Sequence, residues 1–279
     1  MQTWFITGAS RGLGLEMARL ALARGDAVVG AARNPRDVEQ ALGGRPGPEH
    51  LLAVALDMTD RAQAADAVAR ATERFERIDV LVNNAGRGLI GAVEEASEEE
   101  IRSVFEINVF GLLSVTRAVL PIMRRQGSGR IVNISSVGGF TARSGGGIYA
   151  GTKFAVEGLS EALRLELAPL GIQVTIVEPG AFRTDFLDPS SMVLAAQSIE
   201  DYASTAGDFR ERARSGNHRQ AGDPKKAAAA IVAVATADVP PLRLVLGPDA
   251  LARIEEKLQQ VRSDIAAWRG LSLSTDVQD

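Results

Sequence analysis

The sequence predicts an α/β protein with a doubly wound parallel sheet. Three observations carry that prediction. Short apolar β-type segments alternate with helical ones along the chain. Several of those segments, Ala27–Ala31 and Val80–Asn83 among them, are near-continuous apolar runs, as strands covered on both faces must be. No composition break or internal repeat divides the 279 residues, so one domain is expected over 1–279.

Seven strands are expected, at Thr3–Thr7, Ala27–Ala31, Leu51–Ala55, Val80–Asn83, Arg130–Ile134, Gln173–Glu178 and Arg243–Leu246. Helices are expected at Gly12–Arg24, Arg61–Phe75, Glu98–Gln126, Tyr149–Leu170 and Pro224–Ala237. Ser97 and Glu100 have capping-box spacing, and Asp223-Pro224 reads as an N-cap followed by an N1 proline. A last amphipathic stretch, Asp249–Arg269, places Leu251, Ile254, Leu258, Val261, Ile265 and Trp268 on one stripe, to pack on the domain or on a second subunit. The irregular segment 181–222 is too long for a simple connection, and reads as a lid or binding loop.

Composition excludes several classes. The chain has no cysteine, so there is no disulfide framework, thiol nucleophile, iron–sulfur cluster or thiolate zinc site. His50 and His218 are the only histidines and lie far apart in sequence, which argues against a multi-histidine metal centre. A formal net charge of −4 is not that of a nucleic-acid binder. No signal sequence opens the chain, and the longest apolar run, Ala227–Ala237, is too short to span a bilayer. A cytoplasmic protein without nucleic-acid or membrane partners is expected.

The glycines are concentrated where they matter. The first strand ends in Thr7-Gly8-Ala9-Ser10-Arg11-Gly12-Leu13-Gly14, and a helix follows. Such a turn lets backbone approach a pyrophosphate at a helix N-terminus, which offers N–H donors and positive potential. At the end of the second strand, where an acid would hold a ribose 2′-hydroxyl, the chain has Ala32 followed by Arg33. A guanidinium there suits a 2′-phosphate, and Arg11 can approach the same point from the glycine turn. The cofactor expected is therefore NADP(H). Further on, Tyr149 and Lys153 stand at i, i+4 on one helical face. An ammonium beside a phenol favours phenolate and moves a poor acid/base toward neutral pH.

With these motifs in this order, the chain resembles the short-chain dehydrogenase/reductase family, in its single-domain Tyr-x-x-x-Lys branch and near the subgroup of 17β-hydroxysteroid dehydrogenase-like oxidoreductases. The resemblance covers roughly residues 3–246. It includes the turn from Thr7 to Gly14, Asp57 with Met58 after the third strand, Asn83-Asn84-Ala85-Gly86 after the fourth, Asn108 in the long helix, Ser136 after the fifth, and Pro179-Gly180 with Thr184 after the sixth. It implies a Rossmann fold and a nicotinamide cofactor held by Gly8, Ser10, Arg11, Gly12, Leu13, Gly14, Arg33, Asp57, Met58, Asn84, Ala85, Gly86, Tyr149, Lys153, Pro179, Gly180 and Thr184. It implies a catalytic set of Asn108, Ser136, Tyr149 and Lys153. In that set Ser136 and Tyr149 act on the substrate oxygen, Lys153 lowers the tyrosine pKa, and Asn108 holds a water that links Lys153 to solvent. Asn108 falls on the apolar stripe Ile101, Val104, Phe105, where a polar residue needs a reason. It also implies assembly as a homodimer or homotetramer.

The substrate end is read from the variable regions: Ser136, Gly138, Phe140, Arg143 and Tyr149, then Phe182, Phe186, Met192 and Tyr202 in the lid. The apolar members point to a fairly hydrophobic carbonyl or alcohol. Gly145-Gly146-Gly147, just before Tyr149, is expected to make the approach to the site mobile. Three rivals stand beside this reading. A 3-ketoacyl-type reductase acting on a carrier protein would need a basic docking patch, visible only as Arg124, Arg125 and Arg143. A non-catalytic NADP(H)-sensing protein would tend to lose the Tyr–Lys pair. A lyase or dehalogenase variant would lose the glycine turn or the lysine.

Overall fold

The computed structural model describes residues 1–43 and 48–277. Its centre is a seven-stranded sheet in the order β3-β2-β1-β4-β6-β7-β9, every neighbouring pair parallel. The strands are β1 (Thr3–Thr7), β2 (Ala27–Ala32), β3 (Leu51–Ala55), β4 (Val80–Asn83), β6 (Gly129–Ile134), β7 (Ile172–Pro179) and β9 (Arg243–Leu246). A second sheet of two short strands, β5 (Gly88–Ile90) and β8 (Met192–Leu194), was not expected.

Helices cover both faces, because alternate side chains of each central strand point to opposite sides and both must leave water. On one face Trp4, Ile6, Val28 and Val82 pack with α1 (Gly12–Ala23) and α8 (Pro224–Ala235). On the other, Phe5, Val29, Leu81 and Ile131 pack with α3 (Arg61–Phe75) and α5 (Leu112–Gln126). A short helix α2 (Pro35–Leu42) was missed, although Asn34 caps it by accepting from the Arg36 amide, with proline at the first helical position. Both anticipated caps form. Ser97 and Glu100 bond reciprocally at the start of α4 (Glu98–Phe105), and Asp223 accepts from the Lys225 amide.

The helix expected over Glu98–Gln126 is interrupted by a π-helical segment, Glu106–Gly111. By length and composition alone 98–126 could cross a membrane, but 44% of its apolar window is buried inside the protein. The π segment carries Asn108, and Gly111 is pressed on Met58, where a Cβ would lie 2.5 Å from the Met58 carbonyl oxygen. Such bulges occur often at functional sites.

The segment 181–222 is more ordered than a loop. Its ends pair, with the Gly222 amide donating to Ala181 O (3.1 Å) and the Arg183 amide to Gly222 O (2.9 Å). Between them lie β8 and a helix α7 (Asp208–Ser215). Glu95, 2% exposed, pins the segment by accepting from the Ile199 amide (2.9 Å) and pairing with Arg210 (3.0 Å). The final helix α9 (Pro248–Leu273) buries only Ala250 and Ile254 against the sheet side, and the rest of its expected apolar stripe is exposed.

Candidate active site

A continuous cleft of about 1420 Å³ runs along the C-terminal ends of β1, β2, β4, β6 and β7 and under the 181–222 segment. This is where an open parallel sheet places its ligands.

At one end sits the glycine turn. Gly8 (φ 67°) and Gly12 (φ 56°) adopt the left-handed conformation that L side chains avoid. Gly14 stands behind the turn, where a Cβ would collide with the Gly8 carbonyl oxygen and lie 2.6 Å from Asn84 Nδ2. Gly8, Ser10, Arg11, Gly12 and Leu13 line the cleft. The turn is tied to the end of β4 by two residues. The Asn84 amide side chain donates to Thr7 O (2.9 Å) and Gly8 O (3.2 Å). The buried Thr7 hydroxyl accepts from the Asn84 and Ala85 amides, both at 2.9 Å. Asn84 thus acts on the turn, while Ala85 and Gly86 continue the cleft wall. The bracing by Thr7 was not anticipated; its signal was a threonine closing the strand after the apolar run Trp4-Phe5-Ile6.

Farther out, Arg33 is exposed on the cleft edge, free of ion pairs among the described residues. Arg11 lines the cleft too, but it reaches across to the 181–222 segment, donating to Ser190 Oγ (2.7 Å) and Ser191 Oγ (2.6 Å). The structure therefore joins Arg11 to the lid, not to Arg33. Asp57 and Met58 are also in the wall. The Asp57 carboxylate accepts from the Thr59 amide (2.9 Å) and hydroxyl (2.8 Å), and the amide bond first of all holds its pKa below the ordinary value. Pro179, Gly180 and Thr184 line the opposite wall, and a Cβ on Gly180 would collide with the Asp249 carboxylate.

Tyr149 and Lys153 project from α6 (Gly147–Leu167) into the same cleft, with Ser136 beside them at the end of β6. Lys153 Nζ lies 5.8 Å from the centre of the Tyr149 ring and donates to Ile134 O at 2.8 Å. Burial pushes the Tyr149 phenol up to about 12, offset in part by its hydrogen bond with Ser136. Burial brings the Lys153 ammonium down to about 8. In this site desolvation therefore dominates the phenol, and the expected lowering by the lysine does not show there. Asn108 does not reach the cleft wall. It is 1% exposed, holds the Arg87 backbone at both ends (2.8 Å each) and donates to Thr152 Oγ1 (3.0 Å). A Cβ on Gly86 would lie 3.4 Å from Asn108 Oδ1 and 3.7 Å from Lys153 Nζ, so both groups border one small space.

Where the sequence predicts the substrate end, Phe186 packs against Tyr149 with ring centres 5.7 Å apart. Gly138, Phe182 and Met192 also line the cleft. Two expected members do not. Phe140 turns away and packs on Val137, Val245, Ala250 and Ile254, because α9 offers it an apolar face that the sequence could not place. Tyr202 donates to Glu94 Oε2 (2.7 Å) on the outside of the lid. The glycines before Tyr149 serve close approach: a Cβ on Gly145 would lie 3.0 Å from the Phe209 ring and 3.1 Å from Ala206 Cα.

A buried acidic pair behind Ser135 was also missed. Glu178, fully buried, and Glu157 share Arg243, with contacts of 3.2 Å to each. Burial raises both carboxyls above their ordinary values, Glu178 to about 7. The signal was an acid closing the apolar strand segment Ile176-Val177-Glu178.

Comparison with known proteins agrees with this architecture. The family model for short chain dehydrogenase matches residues 2–192. An oxidoreductase of Botryotinia fuckeliana, BOA17, is 40% identical over 272 residues, covering 98% of each chain. The crystal structure of a short-chain dehydrogenase from Streptomyces avermitilis superposes with a TM-score of 0.91 at 42% identity, covering 99% of this chain and 100% of that one. A 3-ketoacyl-(acyl-carrier-protein) reductase from Brucella melitensis, complexed with NADH, superposes with a TM-score of 0.73 at 28% identity, over 88% of this chain and 96% of its own. The cleft, its glycine turn and the Tyr149–Lys153 helix thus sit on the fold those proteins share, and this chain is an oxidoreductase of the short-chain dehydrogenase/reductase family.

Proposed function

We propose that the chain is an NADP(H)-dependent oxidoreductase that interconverts a carbonyl and a secondary alcohol on a fairly hydrophobic small molecule. The observation that carries this reading is the grouping of Tyr149, Ser136 and Lys153 on one stretch of cleft wall, continuous with the glycine turn. The residues fit a dinucleotide: the cradle at Gly8 and Gly12 is open to the cleft, and Gly14 lets α1 start against it. Gly8, Ser10, Arg11, Gly12 and Leu13 would hold the pyrophosphate half. Arg33 would face a 2′-phosphate, and Asp57 and Met58 the adenine side. Ala85, Gly86, Pro179, Gly180 and Thr184 would flank the nicotinamide half. A reduced nicotinamide bound there supplies hydride to the substrate carbon.

The side chains do the rest. With its pKa near 12, Tyr149 is a neutral phenol at pH 7, the form that can give a proton to a carbonyl oxygen. Ser136 donates to the same oxygen and orients the phenol. Lys153 then stabilises the phenolate left behind, and Asn108, bordering the space beside Lys153, orders the path by which that phenolate regains a proton. Phe182, Phe186 and Met192 exclude water around the reacting carbon.

The test is Tyr149→Phe, followed by nicotinamide absorbance on a panel of carbonyls with NADPH and of alcohols with NADP⁺. Turnover should fall by about 10²–10⁴ for loss of the proton donor, with cofactor affinity kept. Unchanged turnover would falsify the assignment.

A further inference from the structure

Although the chain is acidic overall, with a net charge of −4, its cleft is basic: seven arginines and Lys153 line it against four aspartates and no glutamate. Arg11 and Arg33 belong to the cofactor end. The other five, Arg87, Arg143, Arg212, Arg219 and Arg253, also line the cleft, and a purely hydrophobic ligand does not explain them. We infer that the substrate carries an anionic group, a carboxylate or a phosphate, held at the outer edge of the cleft by Arg143 and Arg253. This rests on reading the cleft as the site of carbonyl–alcohol chemistry.

The two arginines come from different elements. Arg143 lies in the loop between Ser136 and α6, is exposed, and has no ion pair among the described residues. Its guanidinium lies over the Phe209 ring, 5.5 Å from the centre, a contact that uses none of its donors. Arg253 enters from α9 and spends one N–H on Thr141 O (2.8 Å), two residues from Arg143. The cations lie close enough to oppose each other: after burial, Arg143 is the main cause that lowers the Arg253 pKa. The carboxylates that face Arg253 are Asp249 and Glu256. Asp249 is occupied by the Ala181 amide (2.9 Å), and Glu256 is not in the cleft wall. Nearer the catalytic groups, Arg87 lines the cleft with a buried Nε that has no hydrogen-bond partner. Like charges held together cost stability, here offset in part by Asp249 and Glu256, and a ligand of opposite charge relieves the rest; a guanidinium fork matches a carboxylate or phosphate with two parallel bonds. Phe182, Phe186 and Met192 line the same cleft. The substrate class is therefore an apolar ketone or alcohol with an anionic end.

The experiment compares a medium-chain keto acid, its methyl ester and a keto phosphate monoester. Each is titrated calorimetrically into the full chain with saturating oxidised cofactor, and then offered for turnover with reduced cofactor. The keto acid or the phosphate should bind at least about tenfold tighter than the ester, and whichever does so identifies the anion. That preference should collapse in Arg143→Gln and weaken less in Arg143→Lys, which keeps the charge but not the fork. Equal or tighter binding of the ester overturns the inference. So does an unchanged preference in both Arg143→Gln and Arg253→Gln, or no measurable binding of either anion. If the preference holds but no compound is turned over, the anion site stands and the carbonyl–alcohol reading fails. If the ester binds as tightly as the anions and all are turned over, the reverse is true.

Discussion

Replacing Thr7 with valine tests how the cofactor cradle is held together. Thr7 is fully buried at the end of β1, and its hydroxyl oxygen accepts from two backbone amides, Asn84 and Ala85, at 2.9 Å each. The hydroxyl in turn points its proton at Val82 O, at a long 3.4 Å. Valine keeps the volume and the β-branch, so packing and strand propensity change little. What changes is that two amides lose their acceptor. A buried donor left without a partner costs about 1–3 kcal/mol. Asn84 and Ala85 are only half-buried, so water can relieve part of this. The expected loss is about 2–3 kcal/mol. For a chain of this size that lowers Tm by roughly 3–6 °C. Urea denaturation should show the same loss as a lower midpoint with an unchanged slope. Cofactor affinity should fall too, because Asn84 locks the carbonyls of Thr7 and Gly8 from the same segment. Thr7→Ser keeps the acceptor and should behave like the parent in both assays. A valine variant within about 0.5 kcal/mol of the parent, or a serine variant as damaged as the valine one, would refute the bracing argument.

Two further outcomes follow from the charges. Arg33→Asp places a carboxylate where a 2′-phosphate is expected, and should shift the ratio of kcat/KM for NADPH over NADH toward NADH by about tenfold to a hundredfold; an unmoved ratio rules out Arg33 as the phosphate partner. Lys153 is held down to about 8 by burial, against an ordinary 10.5, so between those pH values the folded chain binds fewer protons than the unfolded one. Its contribution to stability therefore rises with pH across that window. Lys153→Met, measured without cofactor, should be more stable than the parent below pH 8, and the advantage should vanish toward pH 10.5; a pH-independent difference would contradict the assignment. Tyr149, pushed up to about 12, acts in the opposite direction only above pH 10.

The two kinds of residue differ in how far their positions could be read. The central strands were legible because a strand buried on both faces must be apolar along its length, and that pattern is local. The strands β1, β3, β4 and β9 fall on the expected bounds. The glycine turn and the Tyr149–Lys153 pair were legible for a related reason: each works through neighbours in sequence, a turn or a helical i, i+4. The small sheet was not, because its three-residue strands, Gly88–Ile90 and Met192–Leu194, find each other across more than a hundred residues of chain. The π segment at Asn108 depends on Met58 pressing Gly111 and on the Arg87 backbone, neither of them near in sequence.

The sequence by itself determined the sheet, its helices, the glycine turn proposed to hold a dinucleotide and the Tyr149–Lys153 pair proposed to exchange a proton. These follow from periodicity and short spacing. Only the tertiary structure decided where charge and apolar surface ended up. It moved Phe140 under α9 and out of the cleft. It joined Arg11 to Ser190 and Ser191, some 180 residues away, leaving Arg33 alone at the cofactor edge. It brought Arg143 and Arg253 together on one wall. Long side chains reach across elements, so their partners depend on how the elements pack. That is also why the state of Tyr149 could not be anticipated: the neighbouring lysine is visible in sequence, but the burial that raises the phenol exists only in the folded chain.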